Sequence, residues 1–128
     1  MTEIRTVRWN VFEIRVELRE DTPEEFTDKA VAGVWDEPDD KGRFRVWFKA
    51  LPAEDAFSHE AWHLFFTILM FTDEHNHTMA ELNSEIYAYS FQYLYSQIKD
   101  CVTGMKLYKK LWDERQAEKE KEDGRHTD

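Results

Sequence analysis

Phe12, Ile14, Val16 and Leu18 alternate with Glu13, Arg15, Glu17 and Arg19, the period-two pattern of a strand with one face buried and the other wet. Just upstream, Val7, Trp9 and Val11 carry the alternation in the opposite phase. The register therefore breaks near Asn10, by a bulge or by a bend between two strands. Asp21-Thr22-Pro23-Glu24-Glu25 sets a capping residue ahead of a proline and two acids, a helix-start signal that predicts a short helical turn through Lys29. Two apolar runs, residues 31–35 and 44–48, flank the turn formers of residues 36–42 and predict a β-hairpin. In its second arm Phe44, Val46 and Phe48 share one face, while Arg43, Arg45, Trp47 and Lys49 share the other. That positive row serves equally well as edge protection against strand pairing or as a substrate-facing surface.

From residue 55 to 71 the period lengthens, with Phe57, Ala61, Leu64, Ile68 and Phe71 at four- and three-residue steps, the stripe of an amphipathic helix. Trp62, Phe65 and Leu69 form a second stripe and Phe66 and Met70 a third, so the helix is expected to be enclosed almost all round. A polar stretch, residues 72–78, separates it from a second helix that starts near Met79 and is broken or kinked at Thr103-Gly104, with Trp112 as the last large apolar anchor. Residues 113–128 are almost wholly polar and of mixed charge, which predicts a fraying helix or a disordered tail. The expectation is one domain over residues 1–112, of α+β class: a small antiparallel sheet of three or four strands with two main helices packed on one face.

Charge sharpens this picture. Of the formal −10, residues 1–105 carry 10 basic and 20 acidic side chains, whereas residues 106–128 carry seven of each. An acidic body without a basic stripe argues against nucleic acid and anionic membranes and favours a cationic peptide or protein partner. Cys101 is the only cysteine, so an intrachain disulfide and thiolate metal knuckles are excluded, and the residue reads as a small buried apolar group. The first residues lack a signal-peptide pattern and no apolar run reaches a membrane span, which leads to the expectation of a cytoplasmic protein.

Into the apolar helix the sequence places His59-Glu60-Ala61-Trp62-His63, an HExxH motif. Residues four apart lie on one helix face, so both imidazoles can reach a single Zn²⁺. Glu60 projects beside the metal, where it can take a proton from the metal's water. Unpaired polar groups inside such a helix would cost about 1–3 kcal/mol each, a penalty that a metal removes. A catalytic zinc site wants a third protein ligand. Leu69 stands where metzincins place their third histidine and Phe66 replaces their glycine, which excludes that subclass. Glu85 is the preferred third ligand, with Glu81, Asp73, His75 and His77 also within reach in sequence. Glu85, Tyr89 and Gln92 share a helical stripe, and Tyr89 is the candidate donor to a developing oxyanion. Tyr87, Tyr93 and Tyr95 read as packing residues, and His126 carries no role.

His59 to His63 followed by Ser84-Glu85 and Ala88-Tyr89 resembles the small phage and prophage zincin-like proteins, in which a Glu-x-x-Ala-Tyr helix follows the HExxH helix. The resemblance spans roughly residues 31–98. It implies a gluzincin-type site with glutamate as third ligand, a bacterial cytoplasm as the setting, and the strand over residues 44–49 as the edge along which a peptide lies. Three functions follow as expectations: a zinc metallopeptidase; a non-catalytic phage protein with a structural zinc, acting as a binding or assembly factor; and a zinc hydrolase of another substrate.

Overall fold

A computed structural model of the chain describes residues 1–72 and 85–125, with no side-chain description for Thr72, Glu85, Ile86, Gly124 and Arg125. The opposite phases around Asn10 are the two arms of a hairpin. Strands β1 (Thr2–Trp9) and β2 (Phe12–Arg19) pair antiparallel with Trp9 opposite Phe12 and Val7 opposite Ile14. A two-residue connection makes odd positions of one arm face even positions of the other, so the inverted alternation is what one shared buried face requires. Asn10 takes a left-handed φ of 54°, a conformation that asparagine tolerates.

The second hairpin joins β3 (Ala32–Val34) to β4 (Phe44–Lys49) in antiparallel register, Val34 opposite Val46. Asp39 closes its turn, one carboxylate oxygen accepting from the backbone N–H groups of Lys41 and Arg43 and the other from Arg43 Nε. The sheet is not purely antiparallel: β4 lies parallel to β2, Ile14 beside Phe44 and Leu18 beside Phe48, giving the order β1-β2-β4-β3. This corrects two expectations. The strand over residues 44–49 is an interior strand, so its cations guard no edge. The outer strands are β1 and, beside β4, β3.

No helix forms over residues 21–29. Two successive turns, closed by Phe26 N–H to Pro23 O and Ala30 N–H to Thr27 O, carry the chain across the sheet. Thr22 Oγ1 donates to Ala30 O and ties the ends of this loop together. The loop covers the face that the alternation in β4 left wet. Phe26 stacks edge-on against Trp35 and Trp47, and Trp47 is 0% exposed. Gly33 fits beneath them because a Cβ there would stand 2.5 Å from Phe26 Cε1 and 2.7 Å from Trp47 Nε1.

After β4, Ala50 adopts φ 53° and donates its N–H to Arg19 O, which reverses the chain towards the helix layer. An L-residue in this region is strained by about 1–2 kcal/mol. Ala50→Gly should therefore raise stability by about 0.5–1 kcal/mol in urea unfolding, the relief exceeding glycine's entropy cost; a loss of stability would show that the Ala50 methyl is needed for packing.

Among the described residues three helices follow: α1 (Glu54–Thr72), α2 (Glu85–Thr103) and α3 (Lys106–Arg125). The first two cover the inner face, α1 over β3 and β4 and α2 over β1 and β2. Phe57, Ala61, Leu64 and Ile68 of α1 meet Ile14, Val16, Leu18, Val46 and Phe48 of the sheet, with Leu94 and Ile98 of α2, in one buried cluster. The α1–α2 pairing is antiparallel: Glu54 at the start of α1 accepts from Tyr95 Oη and pairs with Lys99 near the end of α2, and Phe65 meets Tyr87 and Phe91 near its start. Helix α3, separated by the break at Gly104, docks through Leu107, whose N–H donates to Glu3 Oε1. Beyond Trp112 it continues as a helix to Arg125, its side chains mostly exposed through Asp123. No helix among the described residues is long and apolar enough to cross a membrane.

Candidate metal centre

Helix α1 is not enclosed all round. Its buried stripe faces the sheet and α2, while Trp62 is 45% and Met70 69% exposed on the opposite side. His59 and His63 belong to that open side, so the desolvation penalty expected for two buried imidazoles does not arise. It falls on Glu60 alone, which is 5% exposed.

The two imidazoles converge, Nε2 to Nε2, at 3.1 Å. Two nitrogens each about 2.0–2.1 Å from one tetrahedral zinc stand about 3.3 Å apart, so the pair is spaced as metal ligands are, with both ε nitrogens turned to the same point. Glu60 completes the group: one ligand atom from each of His59, Glu60 and His63 lies within 4.8 Å of the others. Glu60 Oε2 is shut off from solvent with no hydrogen-bond partner among the described residues. Burial raises its carboxyl above the ordinary value, opposed only in part by the nearby charges of His59 and His63. A cation at the imidazole pair would compensate that carboxylate, and the donor set, two nitrogens and an oxygen, suits zinc.

Helix geometry explains the division of labour. Glu60 sits about 60° round the helix from Phe57, while His63 and His59 lie about 60° and 100° farther outward. A cleft of about 880 Å³ opens there, lined by Ala32 of β3 and Val31 just before it, by Leu51 and Pro52 of the connecting turn, and by His59, Glu60 and Trp62 of α1. A second, of about 360 Å³, lies along the next turns between His63, Phe66, Thr67 and Met70 and the carboxylate-bearing Asp36 after β3. The three-residue cluster thus stands between two hollows beside the outer strand β3. Asp36 reads in the sequence only as a turn former, and nothing in its spacing announces that it shares a hollow with His63.

The remaining sequence candidates separate from this cluster in different ways. Tyr89 is 66% exposed, two residues away from both Tyr87 and Phe91, through which α2 meets Phe65 of α1; it lies on the outward side of α2 and is not brought to the imidazole pair. Glu85 is the first residue of α2. Glu81, Asp73, His75, His77 and His126 lie outside the described residues. Cys101 is half-buried, and its thiol is held above the ordinary value by burial.

No family model, no curated protein and no solved structure matches the chain.

Proposed function

We propose that the chain is a zincin-type, zinc-dependent metallopeptidase, a hydrolase in which His59 and His63 hold Zn²⁺ and Glu60 is the general base. The observation that carries this reading is the 3.1 Å approach of two Nε2 atoms above a buried carboxylate without a partner. A structural clip has no need of that carboxylate. Glu85 is the proposed third ligand, being the acid that opens the helix packed antiparallel to α1. The motif's resemblance to phage and prophage zincin-like proteins supports the same assignment and a bacterial cytoplasm as the setting.

The substrate proposed is a peptide or protein. Val31 O accepts from Lys49 N–H and Trp35 N–H donates to Arg45 O, so the residues flanking β3 turn their backbone groups towards β4. The backbone groups of Ala32 and Val34 then point to the open side, where an extended chain can add as a further strand. That strand would run past the cleft containing His59 and Glu60. When bound, zinc supplies a Lewis acid and brings its water's pKa to about 7. Glu60 takes the proton of the attacking water and returns it to the leaving amine. Its raised carboxyl suits this work because a base is most effective with a pKa close to the operating pH.

Metal content tests the site. Protein purified without chelator should carry about one equivalent of zinc by inductively coupled plasma mass spectrometry, as the single-centre geometry requires, and His59→Ala should carry almost none. A native chain that holds no zinc and cannot be reconstituted would sink the assignment. Zinc bound without turnover on any peptide would leave the non-catalytic binding or assembly factor as the reading.

A further inference from the structure

The face of the sheet away from the helices holds a further polar cavity, of about 370 Å³, whose chemistry the metal centre does not use. Arg15 and Arg45 stand side by side on the parallel strands β2 and β4, and Trp35 follows in the same row, its N–H bonded to Arg45 O. Like charges in direct cross-strand register repel. Glu17, the one buried acid nearby, is already taken by Arg15 and Arg19 at 3.3 and 2.9 Å. Arg45 has no carboxylate partner among the described residues; it donates to Glu37 O and lies over the Trp35 ring. Two N–H donors of this row, Arg45 Nε and Trp35 Nε1, are sequestered without an acceptor, whereas Arg15 Nε faces Glu17 Oε2 at 3.3 Å. Opposite them, the loop over residues 21–29 brings Asp21, Glu24 and Glu25 to the same cavity. Asp21 pairs with Arg19, whereas Glu24 and Glu25 have no cationic partner among the described residues.

A floor of unanswered donors facing a rim of unanswered acids is a dipolar cavity. A simple anion would meet the rim's repulsion and a simple cation the floor's. We propose that this cavity binds a small zwitterion, a free amino acid or short peptide, its carboxylate on the Arg15–Arg45 floor and its ammonium on Glu24 and Glu25. A carboxylate pairs with a guanidinium in a planar fork, and Glu17 fixes the side chain of Arg15 from behind.

The test is a titration of the full-length, zinc-loaded protein, labelled with nitrogen-15, at constant ionic strength, using glycylglycine, acetate and ethylamine as probes. The indole N–H resonance of Trp35, assigned through Trp35→Phe, should shift saturably with glycylglycine and at least tenfold more weakly with either single-charge probe. Arg45→Gln should weaken glycylglycine at least tenfold, and the double change Glu24→Gln with Glu25→Gln should do so several-fold. Arg8→Gln, which removes an exposed cation from β1, should leave binding unchanged. If Arg45→Gln fails to fold, Arg45→Lys keeps the charge, removes the fork and should still weaken binding several-fold. No saturable shift, acetate binding as well as glycylglycine, or unchanged affinity in the folded Arg45 variant would each overturn the proposal. The readout is independent of turnover, so its failure leaves the metal-centre reading standing.

Discussion

Glu60→Gln should leave zinc bound and lower peptide turnover by about 10²–10⁴-fold, the range a positioned general base contributes. Glutamine keeps the shape but cannot accept and return a proton, and the imidazoles of His59 and His63 are untouched by the change. The assay is a quenched-fluorescent peptide library, followed by kinetics on whichever sequence the native protein cleaves, with zinc measured on the same samples. A variant that cleaves as fast as the native protein would remove Glu60 from the mechanism. The same variant has a second readout. Without metal, the native chain holds a 5% exposed carboxylate with one oxygen unpartnered, and a buried unsatisfied charged group is costly. Metal-free Glu60→Gln should therefore be more stable than metal-free native protein by about 1 kcal/mol at neutral pH, read as a higher melting temperature in chelator. Zinc should reverse that order.

The largest stability effect expected is at Trp47. Trp47→Ala removes a fully buried indole that Phe26 and Gly33 enclose. A Trp→Ala change in a core costs about 3–5 kcal/mol, against a total stability of about 5–15 kcal/mol for a domain of this kind. The melting temperature should fall by about 10 °C or more, and Trp47→Phe should recover much of the loss. A decrease below about 1 kcal/mol, the scale of an ordinary exposed change, would mean that the loop over residues 21–29 does not seal this face in solution.

Trp47 also marks where the sequence stops being informative. Alternation in β4 correctly separates Phe44, Val46 and Phe48 from Arg43, Arg45, Trp47 and Lys49, because side-chain period is a local property of the strand. Whether the second face stays wet depends on Phe26, twenty-one residues earlier, folding across it, and no local pattern records that. The same limit applies to strand order. The two hairpins are legible from their turns, but whether β3 or β4 docks beside β2 is decided by long-range packing, and the parallel β2–β4 pair follows from it. Helix α1 was legible in position, and its HExxH spacing brings His59, Glu60 and His63 together as the 3.6-residue period dictates. Its exposure was not legible: Trp62 of the second apolar stripe and Met70 of the third look like core residues, yet both face outward.

The brevity of β3 has a kinetic corollary. Three residues span about 10 Å, and only Ala32 and Val34 present backbone groups outward. A guest peptide can therefore form ladder bonds over that short reach and no farther. Extending a substrate beyond roughly three residues on either side of this stretch adds solvent-exposed chain without new main-chain partners. KM should fall with peptide length at first and then level off, leaving the residues seated beside Val31, Leu51 and Trp62, rather than the length of the chain, to discriminate one substrate from another.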